Sequence, residues 1–299
     1  MTQPLDASTP PDGTAWLDGA LLPAAATAVP ISDRGLLLGE GLFETLLAWE
    51  GAVLEADAHL ARLSRSARAL ALPLTWSAAA LAAAFAAVLD ANGLGGQGRA
   101  ILRLTLTGGD GPRGLLPPAS PQPRLLITAR PAAEAPADPA TVVIAPFAVA
   151  AASPLRGHKT LSALEQVLAR RHAAAAGADE ALLLNTAGHL VEASAANLFL
   201  VRDGRLLTPP LADGALPGVT RARVLALASE AGIPATADRS LTAADLAAAD
   251  EAFLTNSLIG LRPVGSASGR ILGVGPLTAK LRDALLRCWQ DKAPTRFSG

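Results

Sequence analysis

The chain has a single cysteine, Cys288, which rules out an intrachain disulfide framework and suits a reducing compartment. Its four histidines are scattered with no metal-ligand spacing, so metal catalysis is not expected. Acidic and basic residues nearly cancel, 26 against 25, for a net charge of -1. With no basic footprint, nucleic acid is not an expected partner and a small-molecule function is. The longest apolar stretch, Ala78 to Leu89, falls short of the roughly 20 residues a membrane span needs and is read as a buried helix, so no membrane partner is expected. Met1 to Thr14 are polar, acidic and proline-containing, without the basic start and apolar centre of a signal peptide. They are expected to form a disordered tail (residues 1–14) on a cytoplasmic protein.

Lysine is also scarce, three against 22 arginines, and this scarcity is informative. Where arginine has replaced lysine so widely, the lysines left are candidates for chemistry that a guanidinium cannot do. Arginine stays protonated, whereas a buried lysine can shift its pKa and form a Schiff base. Lys280 lies on an amphipathic C-terminal stretch and Lys292 in a polar tail, both ordinary places. Lys159 stands mid-chain in Gly157-His158-Lys159-Thr160-Leu161, read as the start of a helix whose dipole disfavours a cation. A solvated lysine at a turn is the alternative.

At 299 residues the chain has room for two domains. Ala15 to Pro23 reads as a strand pair around Asp18-Gly19, and Phe43 to Leu54 as a hairpin around Glu50-Gly51. Helices are expected at Asp57 to Ala71 and Ser77 to Ala91, strands at Arg99 to Thr107 and Pro123 to Ala129. These define a smaller N-terminal α/β domain over residues 15–130. The aperiodic Pro/Ala-rich stretch from Pro131 to Pro139 marks a linker, 131–140, ahead of a larger domain over 141–299. That domain opens with a strand at Thr141 to Pro146. Leu161, Leu164 and Leu168 keep helical spacing, Ser162 with Glu165 resembles a capping box, and Gly177 stops the helix. Hairpins follow through Thr208, turning at Asn185 to Gly188 and at Asp203-Gly204. Val219 to Gly232 is helical, Ala252 to Asn256 a strand, and Leu277 to Trp289 a terminal helix. The fold class is α/β (α+β).

If Lys159 forms a Schiff base, the natural partner is pyridoxal 5'-phosphate, which needs a carboxylate for its ring nitrogen, a phosphate cup and walls for the ring. Glu192 closes a strand among small residues in Leu190-Val191-Glu192-Ala193-Ser194; a solvated strand end would explain it equally. Ala215 to Arg221 sets Gly218 directly before a helix, where backbone N–H groups can receive an anion and Thr220 adds a hydroxyl. Thr255-Asn256-Ser257 closes a strand with three small polar side chains, which offer further phosphate contacts or merely a polar turn. Arg62 offers positive charge, or is an exposed helical arginine.

Taken in order, Ser32-Asp33-Arg34-Gly35, Gly39 to Thr45, His59-Leu60-Ala61-Arg62-Leu63, the Lys159 segment, Glu192 to Phe199 and Leu216 to Arg221 resemble the class IV, fold type IV PLP-dependent aminotransferases. The resemblance spans about Trp16 to Trp289. It implies two α/β domains with the cofactor between them, normally in a homodimer acting on a small amino substrate. It implies that Lys159 is the Schiff-base lysine and catalytic base, and that Glu192 partners the pyridine nitrogen. Arg62, Val219, Thr220 and Ser257 would hold the phosphate, with Asn256 beside them, and Leu216 would pack on the ring. Lys159 to Leu168, Ala178 to Leu182 and Asn256 to Val264 are similar to aminodeoxychorismate lyases, whereas Ala215 to Arg221 and Gly275 to Thr278 look more like D-amino-acid or branched-chain transaminases. The chain has no tyrosine. Leu164 stands where branched-chain transaminases carry a tyrosine, and Leu115 where well-known lyases do. The resemblance leaves Arg113, Arg34 and Arg262 as unranked candidates for substrate carboxylates. It leaves open a third reading, a catalytically silent paralogue that kept the fold, against which the joint presence of Lys159 and Glu192 speaks.

Overall fold

The computed structural model describes residues 13–96 and 98–292, and the tail predicted over 1–14 lies outside them except for its last two residues. Two compact units emerge. The first takes in the described residues up to Ala133, Thr160–Ser162 and Lys292; the second takes in Glu134–Lys159 and Ala163–Asp291.

In the first unit, β1 (Thr14–Leu17), β2 (Ala20–Pro23), α1 (Arg34–Leu38), β3 (Gly41–Trp49), β4 (Ala52–Val53), α2 (Ala56–Ala69), α3 (Ala78–Ala91), β5 (Arg99–Thr107) and β6 (Arg124–Pro131) follow in order. The strands form one antiparallel sheet, β2-β1-β6-β5-β3-β4. Its two tight turns put Asp18 and Gly19, then Glu50 and Gly51, at positive φ, the backbone that matches strand twist in two-residue hairpins. Alternating Leu102, Leu104 and Leu106 of β5 face Leu81, Phe85 and Val88 of α3 in one core. The Ser77 side chain caps α3, as its position before the alanine run predicts. The expectation of a wholly buried helix needs correction: α3 buries Leu81, Ala84, Phe85, Val88 and Leu89 and turns its other alanines to solvent. Alanine's helix propensity, not burial, explains their number.

The second unit contains β7 (Ala140–Val149), α4 (Leu164–Ala175), β8 (Glu180–Asn185), β9 (Leu190–Ala193), β10 (Asn197–Arg202), β11 (Arg205–Leu207), α5 (Val219–Glu230), β12 (Ala235–Thr236), α6 (Ala243–Ala247), β13 (Glu251–Asn256), β14 (Gly260–Ala267), β15 (Arg270–Ile271) and α7 (Pro276–Gln290). Its mixed sheet runs β12-β11-β10-β13-β14-β7-β8-β9, with β15 beside β14. β7 continues past Pro146 to Val149 because its register with β8 shifts between Ile144 and Ala148, around the residue that has no N–H to donate.

Two expectations near Lys159 fail. The Ser162–Glu165 capping box does not form: α4 begins at Leu164 behind Ala163, and Glu165 pairs with Arg156. Lys159 therefore precedes the helix by five residues, beyond the reach of its dipole, which fades within a turn. Ala169 and Ala173 are the buried side of α4, while Leu164, Val167 and Leu168 are exposed. Among the described residues no helix is long and apolar enough to cross a membrane.

Candidate active site

Lys159 is half-buried on the irregular segment between β7 and α4, after Gly157 at φ 79°. Chain connectivity constrains it from the next residue on: Thr160 bridges to Leu42 of β3, and Leu161 N–H donates to the Gly41 carbonyl at 3.0 Å, all within the first unit. The loop ahead of it is braced by Arg156 and Ser153, whose backbones bond at 3.0 Å.

In the second unit, Glu192 sits on β9 with a side chain only 12% exposed. Leu216 N–H donates to its Oε2 at 3.0 Å, and Arg156 Nη1 lies 3.9 Å from Oε1, so the carboxylate is fixed on one side by a backbone donor and on the other by a cation. The segment that supplies this donor runs straight into the N-terminus of α5. Asn197 Nδ2 donates to the Leu216 carbonyl at 2.9 Å, and a Cβ on Gly218 would fall 1.9 Å from Asn197 Oδ1, so only glycine fits. As the N-cap, Gly218 brings no side chain to the first N–H groups of α5, and Val219 and Thr220 follow, both buried. Arg221, also buried, ties this turn to Pro209 and Thr208.

At the end of β13, Thr255 is 1% exposed and its Oγ1 has no hydrogen-bond partner. Asn256 uses both ends of its amide locally: Nδ2 donates to the Ala195 carbonyl at 3.0 Å, while Oδ1 accepts from Leu258 and Ile259 N–H, each at 2.9 Å. This side chain shapes the turn that presents Ser257 instead of reaching outward, which corrects its reading as a ligand.

In the first unit, Arg62 is buried, not exposed. Its Nε and Nη2 donate to Glu44 Oε1 and Oε2 at 2.9 and 2.5 Å, and His59 Nδ1 lies 2.7 Å from Oε2. Burial would raise the Glu44 pKa, but the hydrogen bonds and charges of Arg62 and His59 outweigh it and hold the carboxyl below its ordinary value. A depressed folded pKa contributes stability that is full above the unfolded value of 4.5 and is lost as pH falls through and below it. The thermal stability of the wild type should therefore fall on acidification through this range more steeply than that of Glu44→Gln; parallel curves would contradict it.

Two of the three candidate carboxylate-binding arginines are committed elsewhere. Arg34 is buried, with Nε on Glu40 and the two terminal nitrogens on the carbonyls of Gly114, Leu115 and Leu116 at 2.7 to 3.2 Å. It holds the loop between β5 and β6. Arg262 bonds the Asp138 carbonyl and Asp179. Arg113 is exposed on that loop. Glu44, Arg156 and Asn197 were not singled out as site residues from the sequence. Period-two reading of β3 exposes Glu44, an acid in the row of Leu42, Leu46 and Ala48, but the other two have no local signal.

Residues 41–267 match the amino-transferase class IV family. D-alanine aminotransferase of Bacillus licheniformis is 30% identical over 271 residues, spanning 90% of this chain and 94% of its own. A solved 4-amino-4-deoxychorismate lyase from Pseudomonas aeruginosa is 37% identical with a TM-score of 0.79, covering 91% of this chain and 98% of its own. The branched-chain amino acid aminotransferase of T.th., solved with pyridoxamine 5'-phosphate, has a TM-score of 0.87 at 27% identity and covers 95% and 96%. The chain belongs to the class IV aminotransferase family and is a pyridoxal-phosphate-dependent enzyme of fold type IV.

Proposed function

We propose that this enzyme is a 4-amino-4-deoxychorismate lyase, releasing 4-aminobenzoate and pyruvate. The observation that carries this reading is the β13–β14 turn, Asn256 to Val264: it is similar to lyases in sequence, and Asn256 builds its conformation with three hydrogen bonds. The 37% identity to the Pseudomonas lyase supports it.

The residues present suit the cofactor. Thr255 carries a buried hydroxyl oxygen that lacks a partner, and α5 opens behind a glycine with its first N–H groups uncapped by any side chain at that position. Val219, Thr220 and Ser257 would hold the phosphate, with Arg62 supplying charge; Glu192 would face the ring nitrogen and Leu216 the ring. When bound, pyridoxal phosphate supplies an electron sink for the bond broken next to the substrate nitrogen. Lys159 Nζ would hold the cofactor and would take the proton from the substrate ring carbon bearing nitrogen. Breaking the ring carbon–oxygen bond would release enolpyruvate, which gains a proton on carbon to become pyruvate, and would leave the aromatic amine. Glu192, fixed between Leu216 N–H and Arg156, keeps the ring nitrogen protonated.

A transaminase reading has its own support in the D-alanine and branched-chain relatives, and in the Ala215 to Arg221 turn. In that case Lys159 would return the proton to the cofactor carbon. Supplying the loaded enzyme with aminodeoxychorismate and following 4-aminobenzoate fluorescence decides the matter. Product that depends on Lys159 is expected. Its absence, with amino-acid half-reactions proceeding, would replace the lyase by a transaminase. The absence of both would favour the silent paralogue.

We further propose a homodimer. The α4 face of Leu164, Val167 and Leu168 is apolar and exposed, as Leu36 and Leu37 of α1 are in the first unit, and such surface in one chain calls for cover. Sedimentation should give the mass of two chains; a single-chain mass would reject it.

A further inference from the structure

Glu44 occupies a position where the β3 pattern calls for an apolar residue. Leu42, Leu46 and Ala48 on the same face of the strand belong to the core, and Glu44 itself is 1% exposed. Opposite it, His59, Arg62, Leu63 and Ser66 share a buried face of α2, at the i, i+3, i+4, i+7 spacing that points one stripe of a helix at one neighbour. His59 and Arg62 thus reach the same carboxylate one helical turn apart. Arg62 engages it through Nε and one terminal nitrogen, a two-point fork that fixes the plane of the guanidinium. With Glu44 ionised, the 2.7 Å contact places a proton on His59 Nδ1, which shares Oε2 with Arg62 Nη2.

Stability alone does not account for such a cluster. A buried ion pair loses in desolvation much of what it gains in attraction, and packed apolar residues of the same volume serve a core as well or better. One carboxylate is also shared among Arg62, His59 and the field of Arg103, whose guanidinium lies 3.4 Å over the Phe43 ring and hydrogen-bonds Thr45. The Arg103 pKa is itself drawn down to about 10 by burial, against the charge of Glu44. Arg62 alone pairs with the acid directly; Arg103, opposite Thr45 on the other face of the sheet, acts on it only through its field.

We propose that Glu44 is a positioning residue for the cofactor's phosphate: it locks Arg62, and His59 in turn holds the Glu44 carboxylate, so that the guanidinium is presented in one orientation to a phosphate monoester. This rests on the reading of Arg62 as a phosphate ligand. Preorganisation of this kind acts on the phosphate and not on the rest of the cofactor, since the cost it removes is that of ordering Arg62 on binding.

The test compares affinities of the cofactor-stripped full chain for pyridoxal phosphate and for pyridoxal, which lacks the phosphate, in wild type, Glu44→Gln, Arg62→Met and the double variant. Glu44→Gln should lower the preference for the phosphorylated form about tenfold, the lower end of what orienting partners contribute at metal ligands, with pyridoxal affinity unchanged. Arg62→Met should lower it at least as far, and the double variant no further than Arg62→Met. If Arg62→Met lowers the preference and Glu44→Gln does not, Glu44 has no positioning role while Arg62 keeps its own. If Arg62→Met leaves the preference intact, the phosphate reading of Arg62 fails and this proposal with it. Equal weakening of both ligands by Glu44→Gln would mark a merely structural residue. Should Glu44→Gln not fold, Glu44→Asp keeps the charge and shortens the reach, and an unaltered preference in that variant overturns the proposal.

Discussion

Lys159→Ala is expected to lower turnover at least about 10³-fold, because one side chain would carry both the covalent attachment and the proton transfer, each worth orders of magnitude. The fold should survive. Lys159 is half-buried on an irregular segment, outside both sheets and ahead of α4, so no core residue is lost. Lys159→Arg should fail as completely, since a guanidinium at ordinary pH has no free lone pair to attack a carbonyl. Borohydride treatment of the loaded wild type should fix the cofactor to the peptide containing Lys159, with no adduct in either variant. An adduct on Lys280 or Lys292, or turnover by Lys159→Ala within tenfold of wild type, would remove Lys159 from the mechanism. Methylamine supplied to Lys159→Ala separates the roles: partial recovery would show that a diffusible base can replace the amine once the cofactor is held by other residues.

Lys159 stands out by composition, but its expected place at a helix start was wrong. Its neighbours carry the marks of such a start, Ser162 and Glu165 above all, but Thr160 and Leu161 are drawn into pairing with β3 and the helix waits until Leu164. Tertiary pairing overrode a local cap. In α4 the spacing of Leu164 and Leu168 told of a helix but not of its buried face: small Ala169 and Ala173 are buried and the leucines stay exposed. By contrast the turns at Asp18-Gly19, Glu50-Gly51 and Asp203-Gly204 were legible, because a two-residue hairpin leaves few residue types able to hold positive φ. At the site, legibility follows the same line. Gly218 marks the start of α5 from the sequence, and the helix does begin behind it with no side-chain cap. Arg156 and Asn197 are ordinary residues in their own segments and acquire meaning only when the fold sets Arg156 beside Glu192 of β9 and Asn197 of β10 beside Leu216.

Glu192→Gln should lower turnover by about 10² to 10³-fold, the scale for removing one preorganised electrostatic partner, while leaving the cofactor bound. The substitution is nearly isosteric. The amide oxygen can still accept from Leu216 N–H, whose 3.0 Å bond is the structural duty of this side chain, so the α5 turn should stay in place. What disappears is the negative charge. Arg156, now 3.9 Å from the carboxylate and also paired with Glu165, would then face a neutral amide, and no anion would remain at that position to hold a proton on the ring nitrogen. The loss should therefore fall on kcat and not on cofactor affinity, and the absorption of the bound cofactor should shift as its ring nitrogen loses the proton. Glu192→Asp provides the control. It keeps the charge but retreats by one methylene, so it should recover more turnover than the amide while disturbing the Leu216 contact more. If the order were reversed, with the amide active and the shorter acid not, Glu192 would be acting as a strut for the Leu216 turn and the ring nitrogen would have its partner elsewhere.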